Sequence, residues 1–181
     1  MFTARGYIKM TGLETIVGER ITLRAFKDDD AYIYASWLED EDLCIIVNEK
    51  KRSAEDVREY QRELMLNPKF IEYMVVDNKT GRPIGDISIN LENRNSAGLR
   101  PTWGLLLGSL EYSHGGYGSE AGRLLFKFAR EKIGLTEIYG EVFPQNQIAL
   151  DFDKKLGMRV IGMVLDRDGK ECYLLLKNLL E

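Results

Sequence analysis

The sequence predicts an α/β fold in which one mixed, mostly antiparallel sheet of about seven strands is flanked by about four helices. Three observations carry this reading. The chain has 181 residues, 44% of them hydrophobic, which is enough for one substantial core and too little for two ordinary domains. Its apolar residues switch between alternating and helical spacing in the order βααβββαβαββ. No internal repeat, low-complexity stretch or linker interrupts that order, so residues 1–181 read as a single domain. Within it, about 1–15 is expected to be a leader or disordered N-terminus, Met10 offering a second start.

Each element has a local reason. Gly18-Glu19-Arg20 reads as a turn, and the alternation of Ile21 to Ala25 as a half-buried strand. Asp28, Asp29 and Asp30 offer capping oxygens and negative charge to a first helix carrying Ile33, Tyr34, Trp37 and Leu38, expected to run to about Asp40. Ser53 and Asp56 form a capping-box pattern ahead of Val57, Tyr60 and Leu64, and Asn67-Pro68 ends that second helix. Phe70 to Val76 and Pro83 to Leu91 flank a turn-forming stretch and predict a hairpin. Glu92 to Arg100 reads as a polar loop, and the apolar run Thr102 to Leu107 as a strand covered on both faces. A glycine-rich turn follows, then a helix with Ala121, Leu124, Leu125, Phe128, Ala129 and Ile133 on one face and Gly134 at its C-terminus. Glu137 to Phe143 is a strand, Asn146 to Leu156 a short helix ended by Gly157, and Met158 to Leu165 with Glu171 to Leu176 a closing hairpin.

Composition excludes several classes. Charged residues are 30% of the chain with both signs interspersed, the net charge is -4 and the pI is near 5.3, so there is no basic footprint for nucleic acid. A weak acidic bias suits a cationic acceptor. Cys44 and Cys172 lack CxxC spacing, and with His114 as the single histidine no metal site is expected. Both thiols are expected to be buried in a reducing compartment, and no apolar run reaches the ~20 residues of a membrane span, so a cytoplasmic protein is expected.

The segment with most chemical content is Glu111 to Ala121. Three glycines in four positions, Gly115, Gly116 and Gly118, let the backbone approach a ligand, and a helix starting directly afterwards aims unpaired N–H groups and its positive dipole end at the same volume. That combination suits a pyrophosphate; the plainer alternative is a tight strand-to-helix turn. The triphosphatase loop GxxxxGK[ST] is not matched, since no lysine follows the glycines. Gly116-x-Gly118-x-x-Ala121, with Glu137 or Glu141 downstream, does match the dinucleotide fingerprint. Against it, that fingerprint belongs in the first of several βαβ units, whereas here antiparallel strands precede it and a hairpin ends the chain.

His114 to Ser119 is close to the pattern [Q/R]xxGxG/A, and Asn146 to Met158 is close to NxxAxxxYxKxGF. In that order, about 30 residues apart on loop–helix and helix, the two resemble the GNAT N-acetyltransferases, most closely the RimJ/RimL-like ribosomal-protein branch with its "ITLRAF" strand and Trp37 helix. The resemblance spans about Ile21 to Leu176. It implies a central parallel strand pair and acetyl-coenzyme A as cosubstrate, its pyrophosphate on the amides of His114, Gly115, Gly116, Tyr117, Gly118 and Ser119. It further implies a backbone N–H near a bulge at Leu106, Leu107 and Gly108 facing the thioester carbonyl, and Asn146 touching the pantetheine arm. Asn146 as a helix cap is compatible with that. Two departures stand out: Ser113 replaces Gln or Arg, and Asp153 stands where many members carry a proton-donating tyrosine.

An amine of pKa about 10.4 is only ~0.1% neutral near pH 7.4, so a base or water relay is needed. By the resemblance Glu141 occupies the base position, although a glutamate at a strand end also reads as a solvent-facing side chain. Asp153 serves as acid only if burial raises its pKa; otherwise it is an exposed helix residue, and Tyr112, Tyr117 or water substitutes. His114 reads as part of the loop geometry or a phosphate contact. Trp37, Trp103 and Tyr34 read either as walls of an acceptor pocket or as core. The implied activity is direct attack by a small-molecule or peptide amine in a ternary complex, by a monomer or homodimer. A silent acyl-coenzyme A sensor and an NAD-binding protein are the competing readings.

Overall fold

The computed structural model describes residues 13–47, 49–113 and 115–181; the leader reading for residues 1–12 and every reading of His114 lie outside them. Eight strands form one sheet, β1 (Ile16–Val17), β2 (Ile21–Arg24), β3 (Phe70–Asp77), β4 (Pro83–Asn95), β5 (Gly98–Leu107), β6 (Glu137–Val142), β7 (Arg159–Leu165) and β8 (Glu171–Asn178), in the spatial order β1-β2-β3-β4-β5-β6-β8-β7. Every neighbouring pair is antiparallel except β5 and β6. The α-helices among the described residues are α1 (Asp30–Trp37), α2 (Glu41–Val47), α3 (Ala54–Leu66), α4 (Tyr117–Phe128), extended by a π turn over Ala129–Ile133, and α5 (Gln147–Lys155).

Strand alternation assigns the two faces. Ile71, Tyr73 and Val75 of β3, Ile87 and Ile89 of β4 and Trp103 of β5 pack with Ala121, Leu125 and Phe128 of α4 and Leu150 of α5 in the main core. The intervening residues, Glu72 and Met74 of β3 and Asp86 of β4, lie on the other face, beneath α1 and α3. Trp103 belongs to the core: its ring lies 4.9 Å from Phe126 edge-on, and its Nε1–H donates to Met158 Sδ at 3.1 Å. It is not a pocket wall.

Three elements differ from the sequence reading. The expected helix to Asp40 divides at Trp37, because Asp40 Oδ1 accepts the Leu43 N–H at 3.1 Å and opens α2. The polar stretch Glu92 to Arg100 is not a loop but the tip of the β4–β5 hairpin, with Asn93↔Arg100 and Asn95↔Gly98 paired after a register shift. Its polar side chains hid the strand period, and the tip is anchored laterally, Ser96 N–H donating to Leu165 O at 2.9 Å and Leu165 N–H to Ser96 Oγ at 2.9 Å. The strand Ile16–Val17 was too short to read, yet pairs with Leu23 and Thr22.

The Asp triplet works differently from a simple cap. Asp29, at the N-cap, makes no side-chain bond. Buried Asp30 instead accepts from both guanidinium nitrogens of Arg24, at 2.6 and 2.7 Å, and from Lys27 N–H at 2.7 Å, which fixes α1 to β2. The α3 capping box forms as expected, Ser53 Oγ accepting from Asp56 N–H and Asp56 from Ser53 N–H. Removing the first of these devices should be expensive: Asp30→Ala strands the Arg24 guanidinium and is expected to lower unfolding stability by about 3–5 kcal/mol, measured by urea denaturation.

Candidate active site

Strands β5 and β6 pair at a single position, Thr102↔Tyr139. Beyond it the parallel ladder is not continued, so the edge of β5 over residues 104–107 faces β6 without ladder pairing. Just past the end of β5, a short 3-10 turn over Leu110–Ser113 leads into the glycine loop and α4. Gly116 is the N-cap at φ 79°, a left-handed conformation, and no side chain among the described residues caps the helix. The first-turn amides are therefore directed outward with the positive end of the helix dipole. Gly118 meets a different demand, close approach: a β-carbon there would lie 3.1 Å from Leu105 and 3.2 Å from Phe152.

The other sequence-predicted donor residues fall around this end of the sheet. Tyr117 packs edge-on against Tyr112 with 5.5 Å between ring centroids, and Ser119 lies on the first turn of α4. Leu106 is buried and pairs with Asp86, and Leu107 pairs with Gly85. Asn146 does cap α5, its Oδ1 accepting the Ala149 N–H at 3.0 Å. The expected bulge at Leu106 to Gly108 is absent. Pairing is regular through Leu107, and the irregularity sits one strand over, where β4 is out of register at Ile84, whose carbonyl accepts the Gly108 N–H at 2.9 Å. Gly108 has a steric reason instead, because its β-carbon would fall 2.2 Å from the Trp37 ring.

Two basic residues by the loop were missed in the sequence. Arg20 donates through Nη1 to the Gly115 carbonyl, while its N–H donates to Glu120 Oε1 at 3.0 Å. With Arg123 it borders a cavity of about 470 Å³ that also touches Gly116, Ser119 and Glu120. Positions 116, 119, 120 and 123 follow helical spacing, a legible signal for Arg123; Arg20 is brought in from the turn before β2 by the fold alone.

Glu141 and Asp153 are not brought together. Glu141 lies on β6 with Oε1 accepting from Asn93 Nδ2 and Asn95 Nδ2, both at 2.8 Å, so it is held by the β4 tip rather than pointing freely to solvent. Asp153 sits on the opposite face: a β-carbon on Gly140, the preceding strand residue, would lie 3.0 Å from Asp153 Oδ2 and 3.3 Å from Met158 Cε. The exposed-helix reading of Asp153 is overturned, since it is 5% exposed, and burial pushes its carboxyl up to about 7.

A second acidic group was not foreseen. Glu72 on β3 and Asp86 on β4 are diagonal neighbours on the α1–α3 face, both buried, with Tyr34 of α1 and Gln61 of α3 beside them. Burial pushes Glu72 up to about 7, while burial and the negative charge of Glu72 push Asp86 well above the usual carboxylate range. The available signal was a carboxylate interrupting each of two apolar strands, at Glu72 within Phe70–Asp77 and at Asp86 after Ile84. Among the described residues, no cluster of His, Cys, Asp and Glu is arranged to hold a metal, and no helix is long and apolar enough to cross a membrane.

A sheet opened between its one parallel pair, with a glycine turn and an uncapped helix at the opening, defines an acyl-coenzyme A-type transferase fold. Residues 20–159 match the family model of the acetyltransferase (GNAT) domain, and the chain belongs to that family. It is therefore an N-acetyltransferase by class, with acetyl-coenzyme A as donor. No curated protein matches the chain in sequence. Among solved structures, a GNAT-family acetyltransferase from Bacillus anthracis superposes with a TM-score of 0.76 at 20% identity, covering 93% of this chain and 100% of that one. The aminoglycoside acetyltransferase AAC(6')-Ib in complex with coenzyme A and kanamycin gives 0.72 at 20% identity over 87% and 94%. A Vibrio cholerae protein provisionally assigned as a ribosomal-protein-serine acetyltransferase gives 0.70 at 18% over 92% and 98%. At these identities the structures speak to fold.

The Asp153 environment has a measurable consequence. A carboxyl whose folded value is raised is stabilising when protonated, so its cost is absent at pH 4, grows as pH rises toward 7 and is constant above. Asp153→Asn is thus expected to match the parent in urea below about pH 4, to gain on it steadily above that, and to exceed it by on the order of 2–4 kcal/mol at pH 8.

Proposed function

We propose that this chain transfers acetyl from acetyl-coenzyme A to a primary amine of a small-molecule or peptide acceptor, by direct attack in a ternary complex. The observation that carries the reading is the uncapped N-terminus of α4 behind left-handed Gly116, placed at the mouth of the β5–β6 opening. These amides fit a pyrophosphate, and the unladdered edge of β5 fits an extended amide-bearing arm that pairs like an added strand. Acetyl-coenzyme A, when bound, supplies an electrophilic thioester carbon and a thiolate leaving group.

The chain's residues divide the proton work across the sheet. Glu141, oriented by Asn93 and Asn95, takes the proton that the acceptor ammonium must lose before its nitrogen can attack. Asp153 lies against Gly140 of β6 on the opposite face. A carboxyl held at about 7 still carries its proton in a large fraction of molecules at neutral pH, and it returns that proton to the departing thiolate. Their separation therefore suits a base on the acceptor side and an acid on the donor side. The thiolate's conjugate acid has a pKa of about 8.5, so acid assistance contributes less than base assistance.

Within the family, the Ile21 to Phe26 segment and the Trp37 helix support the RimJ/RimL-like branch. That kinship leaves the acceptor open, since fold does not fix substrate. Two buried free thiols, Cys44 and Cys172, fit a reducing compartment such as the cytoplasm.

Two measurements test the reading. In a thermal shift comparison acetyl-coenzyme A is expected to stabilise the protein and NAD and ATP to leave it unmoved; selective stabilisation by NAD would reverse the donor assignment. With an amine panel and a free-thiol readout, Glu141→Gln is expected to lower kcat about 100-fold at pH 7 while the KM for acetyl-coenzyme A stays within a few fold. Unchanged turnover would remove Glu141 from the chemistry.

A further inference from the structure

The acidic group under α1 and α3 is only partly satisfied: Gln61 favours the charged form of Glu72, Tyr34 that of Asp86, and the two carboxyls act on each other. Glu72 is 5% exposed and Asp86 7%, yet Glu72 Oε2 and Asp86 Oδ1 make no hydrogen bond. Gln61, 2% exposed, lies close enough to Glu72 to favour its charged form, and its Nε2 is also without a bond. A buried pair of carboxyls with unsatisfied oxygens costs stability, and replacing such a pair by apolar residues is commonly neutral or stabilising. Among the described residues, no ion pair engages either carboxyl. Arg52, whose charge reaches Tyr60 beside the pair, is engaged by Glu49 at 3.0 Å and by the Tyr60 ring at 4.4 Å, and Glu49 adds to the negative field felt by both carboxyls.

The position of the pair gives it a use. Asp86 pairs directly with Leu106, so it sits one strand from the β5 edge that fronts the opening. Tyr34 faces Asp86 and stacks with Trp37 at 5.5 Å between centroids, and Trp37 covers Gly108 at the end of β5. Carboxylate oxygens flanked by aromatic rings are the environment an alkylammonium prefers. Glu141 lies on the same face two strands away, at least roughly 10 Å from Asp86 by strand spacing.

We propose that Glu72 and Asp86, with Tyr34 and Gln61, form an ammonium-recognition site for the acceptor, which is a small amine carrying two or more positive charges. One amine is presented at Glu141 while a second ammonium is held by Glu72 and Asp86, a span that suits a linear triamine. This deepens the acetyl-transfer reading and rests on it for the acceptor's fate, but the ammonium site itself is a binding claim. The groups facing the pair are Tyr34 from α1, Glu49 from the segment after α2, and Gln61 and Tyr60 from α3; none supplies a positive charge. Binding must then draw protons off the pair, so affinity rises with pH from 6 to 8 and protons are released.

The test is calorimetry on the full chain with spermidine as probe and n-butylamine as the singly charged control, at pH 7 in buffers of different ionisation enthalpy. Spermidine is expected to bind at least about 10-fold more tightly than n-butylamine, with net proton release, and Glu72→Gln/Asp86→Asn is expected to erase the preference. Equal binding of the two amines by the parent, no proton release, or a preference that survives the double substitution would overturn the proposal. Retained stabilisation by acetyl-coenzyme A reports that the variant is folded with an intact donor site. If the double variant does not fold, Glu72→Gln alone is measured and must reduce the preference. Spermidine bound selectively but never acetylated would leave the ammonium site standing and remove the acetyl-transfer reading. Acetylation of amines without charge preference would do the reverse.

Discussion

The single ladder pair between β5 and β6 is the constraint on which the rest of the molecule depends. A parallel pair inside a continuous sheet ordinarily satisfies its backbone groups along its whole length, because each unpaired buried group costs about as much as a lost hydrogen bond. Here the sheet is continuous on both sides, β2 to β5 and β6 to β7, and open only between them. Each half holds its own position. On one side β4 and β5 pair through Leu107; on the other, β6 pairs with β8 from Glu137↔Asn178 to Val142↔Tyr173. The opening is thus a gap between two laddered halves rather than a frayed edge, and the bonds from Asn93 and Asn95 to Glu141 bridge it from one side.

The sheet also acts as a partition. On its α4–α5 face lie the apolar core, the glycine turn and Asp153; on its α1–α3 face lie the unpaired carboxyls, Tyr34 and Trp37. Strand alternation alone produces this sorting, since Gly140 and Glu141 differ by one residue and face opposite sides. The same alternation explains why two acidic environments coexist on one sheet without merging. Asp153 is raised by burial among apolar neighbours, whereas Asp86 is raised by burial and by a like charge beside it.

Legibility in the sequence followed the physics of each feature. Helix-forming segments with local signals were readable: the Ser53–Asp56 capping box and the Asn146 cap are bonds between residues three apart. The glycine loop was readable because its backbone requirement is written in residue type. What escaped depended on partners far away in the chain. Arg20 meets Gly115 across 95 positions, and Asp153 is buried only because β6 and β7 bring Gly140 and Met158 against it. The hairpin tip was invisible for the opposite reason, its polar residues being spent on Glu141 and on β7 instead of showing an apolar period. The bulge expected at Leu106 to Gly108 is displaced to Ile84, where its effect on the strand end passes through one backbone bond.

The contact of Trp37 with Gly108 has a consequence for how this fold varies. The indole occupies the space a side chain at 108 would need, so α1 and the end of β5 cannot change size independently. A larger residue in the strand demands a smaller one in the helix. Positions 37 and 108 should therefore be inherited as a pair, a pin between α1 and the end of β5. Glu72 and Gln61 lie away from that pin, on β3 and α3. Residues on the α1–α3 side of the sheet can then change while the glycine turn on the other side is left as it is.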